Sequence, residues 1–275
     1  MAQVDSLDLD RPIIEQLDAI YWLPFNALPV HHYNLGDWHL SFTGRPELQI
    51  YVDCNYAPYS TPIDNEESYP RFSGGQPLWD SKSPYIWLTL QPIRNACSVE
   101  VGPDDAWVVG SAVFELRVIQ VREPSKSGVF DLSDHNQIKH FIFNKHKSDL
   151  DYFQKLGRKD YFSAWSLDEI QEYKIKGRNW YEIIDGNLGV NWCFNFYTHL
   201  SDRHLLHIAY EPSQFWPPYH IPSEKALSIS KSPLWDFMDN LELSKMEEGS
   251  QVVTGTIERE TTSSWVEDTE GLEGW

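Results

Sequence analysis

The sequence predicts an α+β protein that is built mainly on antiparallel β-sheet, with a few short peripheral helices. Segments in which apolar and polar residues alternate are short and recur along the 275 residues, as in half-buried strands. Aromatic residues, which favour strands over long helices, are abundant (12 Trp, 14 Tyr and 13 Phe). The 17 Pro and 15 Gly are spread along the chain, which suits many short elements joined by turns.

The first third of the chain predicts a short helix followed by strands. Residues 10–20 open with Asp and an early Pro and then carry one apolar stripe, which is typical of an amphipathic helix. Strands are predicted at Trp38–Phe42, Leu48–Val52, Tyr85–Leu90 and Ala106–Val121. The last run is too long for one ordinary strand, so we expect Gly110 to mark a bulge or bend. Residues 53–84 are rich in turn-forming residues and predict a long, irregular, peripheral loop.

The second half of the chain carries clear helix signals. Ser148–Gly157 has an N-cap Ser and a C′ Gly, and Ser166 with Glu169 forms a capping-box pattern. A strand is predicted at Trp180–Ile184, and Ser232–Leu241 begins with Ser then Pro, a strong helix start. We expect one globular α+β domain over residues 1–245, with a possible division near residues 123–128. Residues 246–275 predict an acidic C-terminal tail.

Residues 191–210 predict a β-hairpin, because two alternating runs flank a polar turn. A two-residue turn at Asp202-Arg203 would place Phe196 opposite Ala209. A three-residue loop from Ser201 to Arg203 instead places Phe196 opposite Ile208. Only the second register gathers the large apolar side chains on one face, so we expect burial to select it. The apolar face then carries Trp192, Phe194, Phe196, Leu206, Ile208 and Tyr210.

The other face of this hairpin carries Asn195, Tyr197, His199, Leu205 and His207. We interpret this face as solvated, and we therefore expect replacement of His207 by Ala to leave stability almost unchanged. It is also where a ligand or partner would touch the hairpin. Cys193 lies on the same side and is interpreted as a small packed residue rather than a nucleophile.

The formal net charge of −19 excludes several classes of partner. Residues 1–130 hold 8 basic and 17 acidic side chains, residues 131–210 hold 10 and 11, and residues 211–275 hold 4 and 13. Such a chain lacks the excess of Lys and Arg that nucleic-acid phosphates or an anionic membrane surface require. A basic protein partner is the electrostatic complement of the two outer thirds.

Targeting and redox signals indicate a cytoplasmic protein. The N-terminus has no basic region followed by an apolar one, and no run approaches the length of a membrane span. The cysteines Cys54, Cys97 and Cys193 are odd in number and far apart, which favours reduced thiols over a disulfide framework or a structural zinc site.

No catalytic or cofactor motif is present. There is no GxSxG, P-loop, GxGxxG or HExxH pattern, so we expect no cofactor. His199, His204 and His207 surround the hairpin turn. Only His199 and His207 share the polar face, and no third ligand for a metal is identifiable there, so no metal site is predicted. Two segments, Phe215–Tyr219 (with Trp216) and Tyr56–Tyr59, are aromatic and stiffened by Pro, as in a sugar-stacking platform, although such rings more often close the edge of a core.

The function that we favour from the sequence is a non-catalytic, immunity-type or adaptor protein that binds a basic partner through an acidic surface of residues 1–130 or 211–275. One alternative is an enzyme whose cleft is assembled from distant segments. The other is a carbohydrate-binding module that uses exposed Trp or Tyr. The candidate binding residues are Tyr197, His199, Asp202, His207, Trp216 and Tyr219. The oligomeric state is left open.

Overall fold

A computed structural model describes residues 12–45, 56–69, 72–73, 76–77, 84–100, 106–122, 131–164, 166–187, 191–216, 220–247 and 253–257. Over these residues the protein is α+β and mostly antiparallel sheet, as the sequence predicts. The helices are α1 (Ile13–Gln16), α2 (His135–Lys155), α3 (Glu224–Ser230) and α4 (Ser232–Asp239). The strands are β1 (Tyr21–Trp22), β2 (Val30–Leu35), β3 (Trp38–Thr43), β4 (Phe72–Ser73), β5 (Gln76–Pro77), β6 (Tyr85–Thr89), β7 (Ile93–Glu100), β8 (Ala106–Val121), β9 (Tyr161–Phe162), β10 (Gln171–Ile175), β11 (Arg178–Asn187), β12 (Asn191–Ser201), β13 (His204–Ser213), β14 (Glu242–Lys245) and β15 (Gly255–Ile257).

The strands form one large sheet and two small ones. The large sheet has the order β1-β7-β8-β13-β12-β11-β10, with β6 also paired to β8 and β9 to β11. A second sheet has the order β14-β3-β2-β15, and β4 pairs with β5. The long strand β8 is irregular near its start, because its register against β7 shifts between Cys97 and Ser98, opposite the neighbourhood of Gly110. The expected bulge is therefore present.

The hairpin of β12 and β13 has the register that burial was expected to select. Phe196 pairs with Ile208, and Phe194 pairs with Tyr210. The connection differs from the expected three-residue loop. The strands run to Ser201 and His204, and a register shift between His199 and Ser201 absorbs the extra residue. A tight turn and a bulge together reach the odd register.

Both faces of this hairpin are covered, because its strands lie inside the large sheet. Phe194, Phe196, Leu206 and Ile208 belong to a core shared with α4 and the second sheet. The other face lies under α2, which contributes Ile138, Phe141 and Ile142 to a second core that includes Tyr197 and Leu205. The prediction that this face is solvated is wrong, since the sequence of the hairpin does not show which helix covers it.

The covering helix is longer than predicted. The signals at Ser148 and Gly157 indicated only its last third, whereas α2 begins after Asp134, whose carboxylate accepts hydrogen bonds from the backbone N–H groups of Asn136 and Gln137. Lys and His residues interrupt the apolar pattern of its first half. Its end is as predicted, because Gly157 takes a left-handed conformation with φ of +79°.

Other predicted elements are shorter than expected or lie elsewhere. Helix α1 has only four residues, and the capping box of Ser166 and Glu169 precedes a single 3-10 turn rather than a longer helix. The predicted Ser-Pro helix is α4. Residues 56–69 are irregular apart from a short 3-10 turn, yet Tyr69 is buried. Residues 48–52 and 123–128 lie outside the described residues, and of 246–275 the structure describes 246–247 and 253–257, where β15 pairs with β2.

None of the helices in the described part of the chain combines the length and apolar character that crossing a membrane requires.

We expect Phe196→Ala to lower the free energy of unfolding by about 3–5 kcal/mol, because it removes a fully buried ring from the core. Urea denaturation followed by circular dichroism measures the change. Lys174→Ala on the exposed side of β10 is the control, with an expected change of about 0.5 kcal/mol or less. A loss for Phe196→Ala no larger than that of the control would contradict the assigned core.

Candidate functional site

The hairpin places polar side chains in two different environments. Under α2, its inner face holds a buried network of hydrogen bonds. At the β12–β13 turn, the hairpin and two neighbouring loops together present exposed carboxylates. The candidate residues predicted from sequence divide between these two regions.

The buried network is centred on Asp185, which projects from β11 toward α2. His146 of α2 places Nδ1 at 2.7 Å from Oδ2 of Asp185, and its Nε2 lies 2.8 Å from the hydroxyl of Tyr197. Asn195 Nδ2 donates to Oδ1 of the same carboxylate at 2.9 Å, and the Tyr161 hydroxyl donates to Oδ2 at 3.2 Å. An ionised Asp185 thus has a donor on each oxygen, and the imidazole accepts from Tyr197.

The network continues to β13 through Asn195. His207 Nε2 lies 2.9 Å from Oδ1 of Asn195 and therefore donates to it. The imidazole also stacks on the ring of Tyr197, with centroids 4.3 Å apart and planes 5° apart. Its Nδ1 is buried without a hydrogen-bond partner among the described residues. Arg117 of β8 pairs with His207 in register and is held by an ion pair with Glu115.

Electrostatics keep most of this network in fixed protonation states. Burial alone would raise the pKa of Asp185, but the hydrogen bond from His146, together with the charge of Lys145 and the hydrogen bond from Asn195, outweighs it and lowers that pKa. Burial raises the pKa of Tyr197 and of the Cys193 thiol well above their usual values. Burial, and next the charge of Arg117, hold the pKa of His207 well below the usual range of histidine.

These groups are poorly suited to catalysis. A nucleophile requires a lowered pKa or an adjacent base with access to substrate, whereas the Cys193 thiol and the Tyr197 phenol both keep their protons. Only 1% of His146 and none of Tyr197 is exposed. Satisfied polar networks in a low-dielectric interior are strong and directional, so the contacts of His146 fix the position of α2 on the sheet.

The six candidate residues do not form one site. Tyr197 and His207 are buried under α2, which corrects their assignment to a binding surface. Trp216 is also buried, with 7% exposure, so it offers no stacking platform to a sugar. Tyr219 lies outside the described residues. His199 is half-buried and Asp202 is exposed, and these two lie together at the end of the hairpin.

The exposed end of the hairpin gathers carboxylates from three segments that are distant in sequence. We call this surface the acidic tip. It comprises Asp64, Glu66, Glu67, Asp131, Asp134 and Asp202. All are exposed except Asp131, which is half-buried. Two arginines accompany the six carboxylates. Arg122 pairs with Glu66, and Arg203 donates to the backbone carbonyls of Val121 and Arg122.

Backbone hydrogen bonds hold the three segments of the acidic tip together. The N–H of Leu132 donates to the carbonyl of Asp202 at 2.8 Å, which ties residues 131–134 to the hairpin turn. Residues 64–67 are tied to the hairpin by His204, whose Nε2 lies 3.0 Å from the carbonyl oxygen of Ile63 and whose Nδ1 lies 3.7 Å from the Asp64 carboxylate. The carboxylates therefore stand on an ordered surface.

The histidines at the acidic tip add little positive charge at neutral pH. Burial lowers the pKa of His199, and the charge of Arg178 lowers it further. Burial likewise lowers the pKa of His204, although the nearby carboxylate of Asp64 opposes the shift. The tip therefore keeps an excess of negative charge.

Sequence reasoning missed His146 and Asp185 as structural residues, and missed the loop of residues 64–67 as part of the hairpin end. The alternation in β11 does place Asp185 on the same face as Tyr181 and Ile183, and the helical spacing places His146 with Ile138 and Ile142. The proximity of the loop to the turn has no such signal, since it depends on how distant segments pack.

The described residues contain no group of three or more His, Cys, Asp or Glu side chains arranged to hold a metal ion. Comparison of the chain with protein-family models, curated proteins and solved structures finds no match.

We expect His207→Ala to lower the free energy of unfolding by about 2–4 kcal/mol, in contrast to the silent effect expected from sequence. The change removes a buried ring stacked on Tyr197 and leaves the amide oxygen of Asn195 with only the weak thiol donor of Cys193. Urea denaturation at pH 7.5 measures it, with the exposed Asp202→Ala as control. A loss below about 0.5 kcal/mol would show that the network contributes nothing at this position.

Stability should fall as the pH drops below about 6.5, the pKa of an unfolded histidine. The pKa of His207 is lowered in the folded state, so the unfolded chain binds more protons in this range. The slope for one such histidine reaches about 1.4 kcal/mol per pH unit. Denaturation from pH 7.5 to 5.0 should show a smaller slope for His207→Phe, which keeps the stacked ring but does not titrate. Equal slopes for the two proteins would contradict a neutral His207.

Proposed function

We propose that the protein binds a basic protein partner through the acidic tip, without catalysing a reaction. The observation that carries the proposal is the gathering of six carboxylates, from three distant segments, around one hairpin turn. Only part of this surface comes from residues 1–130, since Asp131, Asp134 and Asp202 belong to the central third of the chain. The basic and acidic side chains of that third nearly cancel, so its net charge does not indicate an acidic surface there.

The structure of the tip suits recognition by charge. A concentrated negative potential steers a positive surface into contact and raises the association rate. Five of the six carboxylates make no ion pair with a lysine or arginine among the described residues, namely Asp64, Glu67, Asp131, Asp134 and Asp202. Lysine or arginine side chains of a partner supply the missing cations. Ordered loops reduce the entropy lost when the tip is bound.

Two properties argue against the alternative functions. The ionisable groups under α2 with strongly shifted pKa values, Tyr197 and His207, are fully buried and out of reach of a substrate, so they do not support the enzyme hypothesis. Of the aromatic residues considered for sugar stacking, Trp216 is buried, and Tyr59 packs against Tyr33 and is hydrogen-bonded to Thr256 through its hydroxyl. A binding role for the acidic tip requires neither a cleft nor an exposed aromatic platform.

The partner can be identified by zero-length carbodiimide cross-linking in an extract of the source organism, because this reagent joins carboxylates to lysines already in contact. We expect cross-links at Asp64, Glu67 or Asp202 to lysines of a basic protein. Cross-links confined to carboxylates far from the tip, or an acidic partner, would overturn the proposal.

Stopped-flow association with the purified partner then tests the charge argument. The variant Asp64→Asn/Glu67→Gln/Asp202→Asn should associate about tenfold more slowly at low ionic strength, and the difference should shrink at physiological salt. The control Asp151→Asn/Asp168→Asn/Glu224→Gln removes the same charge at exposed sites on other elements and should lose much less. An association rate of the unmodified protein that does not change with salt would reject electrostatic steering.

A further inference from the structure

A cleft next to the hairpin holds an arginine that has no carboxylate partner among the described residues. The cleft lies between the β10–β11 hairpin and the segment that joins α4 to β14, and its volume is about 260 Å³. We call it the Arg178 cleft. Its walls are mostly apolar and include Ile175, Trp180, Met238, Leu241 and Leu243.

Arg178 is held in this cleft by two contacts. One terminal nitrogen donates to the backbone carbonyl of His199 at 2.6 Å, and the guanidinium carbon lies 4.6 Å from the centre of the Trp38 ring. Its Nε is buried and has no hydrogen-bond partner, and no carboxylate among the described residues pairs with the side chain. Burial lowers the pKa of Arg178. A guanidinium carries five N–H donors, so most of its capacity remains available.

Exposed basic side chains of the described residues, such as Lys174 and Arg203, also lack a carboxylate, but Arg178 is partly buried and its buried Nε has no hydrogen-bond partner. Lys231, which is also partly buried, pairs instead with the buried Glu182 at 2.6 Å. Removing a cation from water without an anion is costly. An anion from outside the chain would offset that cost.

The other charged groups at the cleft leave Arg178 as its anion-binding group. Lys176 directs its ammonium group to the carbonyl oxygens of Asp239 and Leu241, at 2.6 and 3.1 Å, and so binds the end of α4. Glu242 also lines the cleft, but its side chain is exposed and makes no ion pair with Arg178. Its negative charge disfavours multiply charged anions there.

We propose that the Arg178 cleft binds a small monocarboxylate with an apolar tail. The carboxylate would pair with the guanidinium, whose planar fork matches two carboxylate oxygens. The tail would pack against the apolar walls formed by α4 and β14. The cleft is smaller than the pockets that hold drug-sized molecules, so a ligand of roughly ten non-hydrogen atoms fits it. Inorganic phosphate gains nothing from such walls.

Titration of the full chain with octanoate, observed by calorimetry and by NMR of the indole N–H groups, tests the proposal. We expect a dissociation constant of about 1 mM or lower, with shifts of the Trp180 and Trp38 signals. Acetate, which lacks the tail, and octanol, which lacks the charge, should each bind at least about tenfold more weakly. Equal binding of acetate or octanol, tighter binding of phosphate, or shifts only at other tryptophans would overturn the proposal.

Two variants test the charged part and the apolar part of the cleft separately. Arg178→Met should weaken octanoate binding at least about tenfold, and Met238→Trp, which fills the apolar part without touching Arg178, should do the same. Arg203→Met is the matched control, because that arginine also donates to backbone carbonyls at the same end of the sheet but lies outside the cleft. Unfolding curves identify any variant that fails to fold. Unchanged affinity in a folded Arg178→Met or Met238→Trp protein would overturn the assignment.

Discussion

The contact between α2 and the large sheet determines how the polar residues of this protein are used. Strands β11, β12 and β13 have one apolar face and one polar face, and the polar face is as deeply buried as the apolar one. Burying such groups is costly unless each finds a partner. His146 meets that requirement from the helix, since it connects Asp185 with Tyr197. A helix with an apolar side chain at this position would leave the Tyr197 hydroxyl without its partner and would remove one of the three donors to Asp185.

The same contact explains why the surface that we propose for partner binding lies at the end of the hairpin. Both faces of β12 and β13 are occupied, so only the turn and the adjoining loops present side chains to other molecules. The loops come from residues 61–69 and 131–134; the His204 side chain attaches the first to the hairpin, and a main-chain hydrogen bond from Leu132 to Asp202 attaches the second. The acidic tip is therefore a consequence of topology. Carboxylates that are scattered in the sequence become neighbours because three connections meet at one edge of the sheet.

The Arg178 cleft follows from the meeting of the two larger sheets. Strand β10 ends the large sheet and β14 ends the second one, and the cleft lies where these two edges approach each other. Edge strands cannot close such a gap with further hydrogen-bonded neighbours. Charged residues at edges normally prevent unwanted pairing, and Lys174 on the exposed side of β10 is of this kind. Arg178 differs because its guanidinium is partly withdrawn from solvent onto Trp38.

Local pattern was enough to predict the fold class, the strands β3, β6, β8 and β11, and the central hairpin with its register. Period-2 alternation and the need to bury Phe194, Phe196 and Ile208 together are properties of adjacent residues, and they act before any distant contact is known. The helix α4 was predicted for a similar reason, since Ser-Pro followed by an apolar stripe is a local signal. The full length of α2 was not, because Lys and His residues interrupt its pattern.

The tertiary structure alone decided which polar residues are inside and which are available for binding. The sequence identified Tyr197, His199, Asp202 and His207 as one group on or beside a polar hairpin. Packing separated them, because α2 covers Tyr197 and His207 and ends before it reaches Asp202. Burial is set by the neighbour that covers a face, and that neighbour is distant in sequence. A polar strand face has the same pattern whether water or a helix with a matching histidine lies above it.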